Sequence, residues 1–176
     1  MLETPIQTPR CILAKPTPAD KPDLIKLFSN EKTREFLGGT QSDAAIEARC
    51  SSVMGATEVY HAIVYARATN NFLGLLTLGS YHDRAYHEIS YEFLPEHWGQ
   101  GYAEEALKAF LPIAMENLKL TTILAETQLQ NTRSIHLLQK LGMKKIRQLE
   151  RFGELQGVYG FDSRSTSSSR TASSEC

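Results

Sequence analysis

The chain has 176 residues, a formal net charge of −1, and hydrophobic residues at 41% of its positions. This length and composition fit one globular domain with a sizeable core. The near-neutral charge excludes a global basic field that would attract nucleic acid or an anionic membrane. No apolar run reaches the roughly 18 residues of a membrane-spanning helix. The start lacks signal-peptide features, and three scattered cysteines form no disulfide framework, so we expect a cytoplasmic protein.

Periodicity and turn residues predict the secondary structure in chain order. A first strand covers residues 10–15, and residues 17–20 then begin a helix with Leu24, Leu27 and Phe28 on one face. Ser42 is the expected N-cap of a second helix that stops at Gly55. Further strands are predicted at residues 59–66, 72–80, 87–94, 122–127, 144–151 and 157–161, with helices after Gly101 and around Ser134.

This order of elements predicts an α/β fold of a single domain, with a mixed sheet flanked by helices. We assign the domain to residues 8–162. A serine-rich segment, 163–176, follows it and has no apolar residue larger than alanine before its last cysteine. Because such a segment cannot bury a core, we expect a disordered tail.

The most informative segment of the chain is a glycine turn at residues 98–103, WGQGYA. It lies between a predicted strand and a predicted helix. Gly99 and Gly101 allow the backbone to approach a ligand closely, and a helix start directs unpaired N–H groups at an anion such as a pyrophosphate. Taken alone, the pattern is more often an ordinary turn.

A second segment makes the interpretation specific, because a predicted strand at 122–127 leads into NTRSIHLLQKLGM. Together with PEHWGQGYAEEAL, this resembles the GNAT superfamily of acetyl-CoA-dependent N-acetyltransferases. Within it, the chain looks most similar to the ribosomal-protein N-terminal alanine acetyltransferases. The segments TPRCILAKPTPAD, REFLGG and NFLGLLTLG also fit, so that the resemblance covers about residues 8–161.

The resemblance implies a mostly antiparallel sheet, acetyl-CoA as cosubstrate and no metal. It also implies a primary amine as acceptor, on a protein N-terminus or a small molecule, and a monomer or homodimer. The cofactor-binding residues that it implies are Phe93, Leu94, Pro95, Gly99, Gln100, Gly101, Tyr102, Ala103, Glu104, Asn131 and Ser134. Direct membrane or nucleic-acid partners are not expected.

Three of these assignments carry an alternative. The backbone of residues 93–95 is expected to meet the pantetheine arm and the reacting carbonyl, although the same residues also suit an ordinary strand core. Asn131 either contacts the pantetheine or simply caps a helix. Glu104 stands where the resembled branch usually has threonine or serine, and a carboxylate there would repel a pyrophosphate. Either its side chain points to solvent or the affinity for the cofactor is reduced.

The proton of the amine needs an acceptor. Strand geometry places Glu88, Ser90 and Glu92 on one face of the strand at 87–94, opposite Tyr91. Either carboxylate can act as general base, and the resemblance favours Glu88. We expect a weak, partly exposed base, which suits an α-amine of pKa ~7.8 better than a lysine-like amine of pKa ~10.4.

The leaving thiolate needs a hydrogen-bond donor. Many members of the superfamily use a tyrosine on the helix after the asparagine, but here that position is Leu138. The resembled branch often has a serine earlier on the helix, which corresponds to Ser134, and Tyr159 is a more distant candidate. Five histidines lack metal-ligand spacing. Leu138 and Glu104 favour the competing hypothesis, a non-catalytic acyl-CoA-binding module.

Overall fold

The computed structural model describes residues 4–56 and 58–162, and these form an eight-stranded sheet with helices on both faces. In spatial order the strands are β1-β2-β3-β4-β5-β6-β8-β7, and β5 and β6 are the parallel pair. The strands are β1 (Ile6–Gln7), β2 (Cys11–Ala14), β3 (Tyr60–Ala66), β4 (Phe72–Ser80), β5 (His87–Phe93), β6 (Thr122–Gln128), β7 (Lys144–Arg151) and β8 (Glu154–Asp162). The helices are α1 (Lys21–Ser29), α2 (Glu31–Arg34), α3 (Asp43–Gly55), α4 (Tyr102–Leu118) and α5 (Thr132–Lys140).

The α/β class, the mostly antiparallel sheet and the flanking helices are as predicted. Ser42 is the N-cap of α3, where its Oγ accepts a hydrogen bond from the Ala45 N–H at 3.3 Å. Two elements were not predicted, β1 and α2. With two and four residues, they are too short to show a period. The serine-rich segment 163–176 lies outside the described residues.

Two hydrophobic clusters fix the helices on opposite faces of the sheet. One contains the buried faces of α1 and α3 with residues such as Leu24, Phe28 and Cys50. The other contains α4 and α5 with residues such as Phe110 and Leu138. Because burying apolar area is the main stabilising contribution to folding, this packing fixes where the ends of α4 and α5 meet the sheet.

The two parallel strands part soon after they meet. The pairing of β5 with β6 consists of His87 with Ile123 and Glu88 with Leu124. Beyond these pairs, β5 follows β4 as far as Phe93, whereas β6 follows β8. We call the opening beyond Glu88 and Leu124 the β5–β6 gap. Backbone groups of β5 that would otherwise pair with β6 face this gap.

Gly74 in β4 allows the end of β5 to approach closely. A Cβ built on Gly74 would lie 2.8 Å from Phe93 Cγ and still closer to the carbonyl oxygen of Glu92. We therefore expect Gly74→Ala to lower the free energy of unfolding by about 1–3 kcal/mol through overpacking. Gly79→Ala on the same strand is the control, because its Cβ would make ordinary contact with Val59 at 3.4 Å. Urea unfolding measures both, and equal midpoints would contradict the prediction.

Candidate active site

The predicted glycine turn lies at the start of α4. Gly99 and Gly101 adopt φ angles of +72° and +81°, a left-handed conformation that side chains with a Cβ rarely take. Gly101 is the N-cap of α4 and has no side chain to occupy the first N–H groups of the helix. A Cβ built on Gly99 would have no protein atom within 4 Å. The turn therefore presents open backbone of the kind that binds phosphate.

Arg10 holds this turn, a residue that the sequence analysis did not single out. Its Nη1 donates to the carbonyl oxygen of Gln100 at 2.9 Å, and its Nε donates to Glu105 at 2.7 Å. The guanidinium also lies over the Tyr102 ring, 4.9 Å from the centroid. The partners are 90 or more residues apart, so no local sequence pattern reveals them. Arg10 and Glu105 thus form an ion pair that links the start of β2 to the glycine turn and α4.

The negative charge of Glu104 is balanced by two lysines. Its Oε1 accepts a hydrogen bond from Lys108 at 2.7 Å, and its Oε2 lies 3.8 Å from Lys140 of α5. The hydrogen bond from Lys108 keeps the pKa of Glu104 below its usual range. The repulsion of a pyrophosphate that the sequence suggested is therefore offset by two neighbouring cations.

The segment at the end of β5 offers one backbone donor among the three predicted residues. The Leu94 N–H donates to Leu73 at 3.0 Å, within the sheet. Pro95 has no N–H, and its carbonyl accepts from the Trp98 N–H at 3.1 Å. Since neighbouring residues of an antiparallel strand point their backbone groups in opposite directions, the Phe93 N–H faces the β5–β6 gap. Of the three residues, Phe93 therefore presents a backbone N–H to the gap, whereas the Leu94 N–H is engaged by β4 and Pro95 has none.

Trp98 joins the glycine turn to both β5 and α5. Its Nε1 donates to the Phe93 carbonyl oxygen at 2.8 Å, and the Arg133 guanidinium lies 4.3 Å from its ring centroid. Trp98 and Arg133, with Pro95 and part of α2, line an open groove of about 560 Å³. The groove leads along the surface beside the end of β5.

Glu88 lies at the point where β5 and β6 part, since it belongs to the last pair of the parallel ladder. Burial, followed by the nearby Glu126 carboxylate, raises the pKa of Glu88 to about 7. A hydrogen bond from the Glu126 backbone acts in the opposite direction. Glu88 is therefore a stronger base than the weak carboxylate expected from the sequence, and it is suited to accept a proton near neutral pH.

Glu92 has a different environment, although it shares the strand face with Glu88. Its side chain is 7% exposed. It forms a two-pronged ion pair with Arg49 of α3, and Arg34 Nη1 lies 3.8 Å from its Oε2. Both carboxylate oxygens are thus engaged by buried or half-buried arginines. Of the two carboxylates that the sequence left open, Glu92 is held by arginines, whereas Glu88 lies beside the Glu126 carboxylate.

The start of α5 brings Asn131 and Ser134 together. Asn131 caps the helix, and its Oδ1 accepts a hydrogen bond from the Ser134 N–H at 3.1 Å. The Ser134 hydroxyl lies 2.7 Å from the hydroxyl of Tyr91, which reaches it from β5. Tyr159, the more distant candidate, lies on β8 and is separated from β5 by β6, with its side chain in the core. Leu138 is also fully buried in the core.

Two further findings concern the described part of the chain as a whole. There, no group of three or more His, Cys, Asp and Glu side chains is placed to hold a metal ion. No helix in residues 4–56 and 58–162 is long and apolar enough to cross a membrane.

Comparison with known proteins identifies the family. Residues 10–144 match the model of the acetyltransferase (GNAT) domain, and this chain belongs to that family. The uncharacterised N-acetyltransferase YoaA of Bacillus subtilis is 29% identical over 149 residues, which are 80% of this chain and 82% of that protein. The family membership identifies the chain as an acetyltransferase.

Solved structures agree in fold. A GNAT-family acetyltransferase from Bacillus anthracis superimposes with a TM-score of 0.79 at 22% identity, covering 90% of this chain and 98% of that one. A spermidine N-acetyltransferase from Vibrio cholerae, solved in complex with CoA and spermine, gives a TM-score of 0.76 at 17% identity. That match covers 89% of this chain and 98% of the other.

Proposed function

We propose that the protein transfers an acetyl group from acetyl-CoA to a primary amine, by direct attack of the amine on the thioester. The observation that carries the proposal is the position of Glu88. This carboxylate has a pKa of about 7 and lies where β5 and β6 open. In our proposal it accepts the proton that the amine loses as the new N–C bond forms.

Three other parts of the site suit the remaining needs of the reaction. The turn at Gly99–Gly101 and the N-terminus of α4 are suited to bind the pyrophosphate of acetyl-CoA. The Phe93 N–H is positioned to stabilise the negative charge that develops on the carbonyl oxygen. Ser134 is our candidate to donate a hydrogen bond to the thiolate that leaves as the C–S bond breaks.

We further propose a protein N-terminus or a small amine as acceptor, and a place near the ribosomal-protein N-terminal alanine acetyltransferases. An α-amine needs only about 1 kcal/mol to become neutral at pH 7, against about 4 kcal/mol for a lysine-like amine. Because the pKa of Glu88 is about 7, deprotonation of a more basic amine is less unfavourable than the sequence suggested. The proposal includes a cytoplasmic location and a monomer or homodimer, both of which rest on the sequence.

The test measures CoA release from acetyl-CoA with N-terminal peptides, polyamines and aminoglycosides as acceptors. Turnover with one class of amine supports the proposal and identifies the acceptor. The competing hypothesis is a non-catalytic acyl-CoA-binding module, favoured by the loss of a tyrosine at Leu138. Calorimetry with CoA would then show binding while the whole panel stays unreacted. A chain that binds no CoA would contradict both hypotheses.

Gly101→Val tests the phosphate cradle. A branched side chain is strained at φ +81°, and its Cβ would lie 3.2 Å from Arg10 Nη2. We expect the affinity for CoA to fall at least about tenfold, which corresponds to about 1.4 kcal/mol. Gly153→Val is the matched control. Gly153 has a φ of +75° in the β7–β8 turn, and a Cβ there meets no atom within 4 Å. Calorimetry measures the affinity of both variants for CoA. Equal losses in the two would mean that backbone strain alone causes the effect, and would contradict the phosphate cradle.

A further inference from the structure

We propose that Tyr91 is a positioning residue, whose phenol hydroxyl orients the Ser134 hydroxyl towards the sulfur of the leaving group. This inference rests on the proposed function. Its basis is a contact between two elements on either side of the β5–β6 gap. The Tyr91 oxygen lies 2.7 Å from Ser134 Oγ and 3.5 Å from the Ser134 carbonyl oxygen.

Acidity determines the direction of the hydrogen bond between Tyr91 and Ser134. Burial raises the pKa of Tyr91 to about 12, so the phenol keeps its proton at neutral pH. A phenol is a stronger acid than an aliphatic hydroxyl, and both Ser134 oxygens beside it are acceptors. The 2.7 Å contact allows either hydroxyl to donate, and the greater acidity of the phenol assigns the donor role to Tyr91. The hydrogen of Ser134 is then free to point elsewhere.

Ser134 is held at two points. Asn131 accepts from the Ser134 backbone N–H at 3.1 Å, and Tyr91 contacts the side-chain oxygen. The backbone and the hydroxyl of Ser134 are thus fixed by two different elements, the N-cap of α5 and strand β5. Donation by Tyr91 also polarises the Ser134 hydroxyl and makes it a better donor.

Tyr91 supplies a phenol hydroxyl that helix α5 itself does not provide. Leu138 stands where many relatives in the superfamily carry a tyrosine, and it is fully buried. Tyr91 brings a phenol hydroxyl to the same helix from the neighbouring strand. It lies on the strand face opposite Glu88, so that the groups serving the amine and the sulfur approach from opposite faces of the sheet.

A double-mutant cycle tests the proposal. Tyr91→Phe keeps the ring and removes the hydroxyl, and we expect kcat to fall about 3- to 10-fold, as for the loss of one neutral hydrogen bond. The KM for acetyl-CoA should stay within about twofold. Ser134→Ala should lower kcat by about 5- to 150-fold, for loss of a bond to a charged partner. The double variant should be no slower than Ser134→Ala, because Tyr91 acts through Ser134.

Tyr65→Phe is the matched control. Its hydroxyl donates to Asp20 on the other face of the sheet, so its loss should affect stability and leave kcat unchanged. Equal kcat values for Tyr91→Phe and the wild type would overturn the inference while leaving the proposed function intact. Effects that multiply in the double variant would also overturn it, since Tyr91 would then act independently of Ser134.

Binding gives a second measurement that needs no turnover. Calorimetry compares CoA with desulfo-CoA, which lacks the sulfur. The wild type should bind CoA more tightly, and both Tyr91→Phe and Ser134→Ala should reduce that preference. Equal binding of the two compounds by the wild type would overturn the role of the hydroxyl pair. Failure to bind either compound would instead contradict the proposed function itself.

Discussion

Glu88→Gln is expected to lower kcat by about 10²- to 10³-fold, the usual contribution of a positioned general base. Glutamine keeps the shape of the side chain and can still accept the hydrogen bond from the Glu126 backbone. It cannot accept a proton. The affinity for CoA should therefore remain near the wild-type value while turnover is lost, and steady-state kinetics together with calorimetry separate the two effects. A variant with unchanged kcat would exclude Glu88 as the base.

The pH profile gives this prediction a sharper form. The pKa of Glu88 near 7 should produce a rise of wild-type kcat through neutral pH, as the carboxylate becomes ionised. The variant should lack this rise, and its residual rate should follow the titration of the free amine instead. Glu126→Gln is the informative companion. Removing that carboxylate should lower the pKa of Glu88 and shift the rise towards acid pH.

The raised pKa of Glu88 also predicts that rising pH lowers the stability of the wild type, whereas it raises kcat. The ordinary pKa of a glutamate, which applies to the unfolded chain, is 4.5, and the pKa of Glu88 in the folded protein is about 7. The folded state therefore holds this proton more tightly, and stability is lost as the pH rises from about 4.5 to about 7. Glu88→Gln should be more stable than the wild type by about 1–3 kcal/mol at pH 8, and equal to it at pH 4. Urea unfolding at both values measures this. An equal difference in the free energy of unfolding at pH 4 and pH 8 would contradict the prediction.

Local patterns in the sequence predicted most of the fold, because the main strands and helices are long enough to show their period. The Ser42–Gly55 helix and the strand–turn–helix around Gly99 are examples. The two missed elements, β1 and α2, are short and depend on tertiary contacts. The β5–β6 gap could not be predicted in this way, since no local period indicates where two strands part.

The sequence predicted which side chains share a strand face at the candidate site, but not the contacts that they make with other elements. Alternation placed Tyr91 on the face opposite Glu88, but it could not reveal Ser134, 43 residues later, as the partner of its hydroxyl. It likewise placed Glu88 and Glu92 on one face without distinguishing them. What distinguishes them is the set of neighbours from other elements, which are arginines beside Glu92 and a second carboxylate beside Glu88.

Glu92→Gln is expected to lower the free energy of unfolding by about 3–5 kcal/mol, the cost of removing one partner from a buried ion pair. The variant would leave Arg34, whose side chain is 8% exposed, and the half-buried Arg49 without their carboxylate. Urea unfolding measures the loss. Glu47→Gln is the control, because Glu47 pairs with Lys21 at the surface and should contribute less than about 1 kcal/mol.

Catalysis by the folded fraction of Glu92→Gln should stay within a few-fold of the wild type, since we assign Glu92 to structure and Glu88 to the chemistry. Rates measured at low temperature, where the variant remains folded, keep the two effects apart. Replacing both partners, as in Glu92→Met with Arg49→Met, should recover part of the lost stability, because a buried pair can be exchanged for apolar packing. A stable Glu92→Gln protein with a 100-fold lower kcat would reverse the assignment and make Glu92 the base.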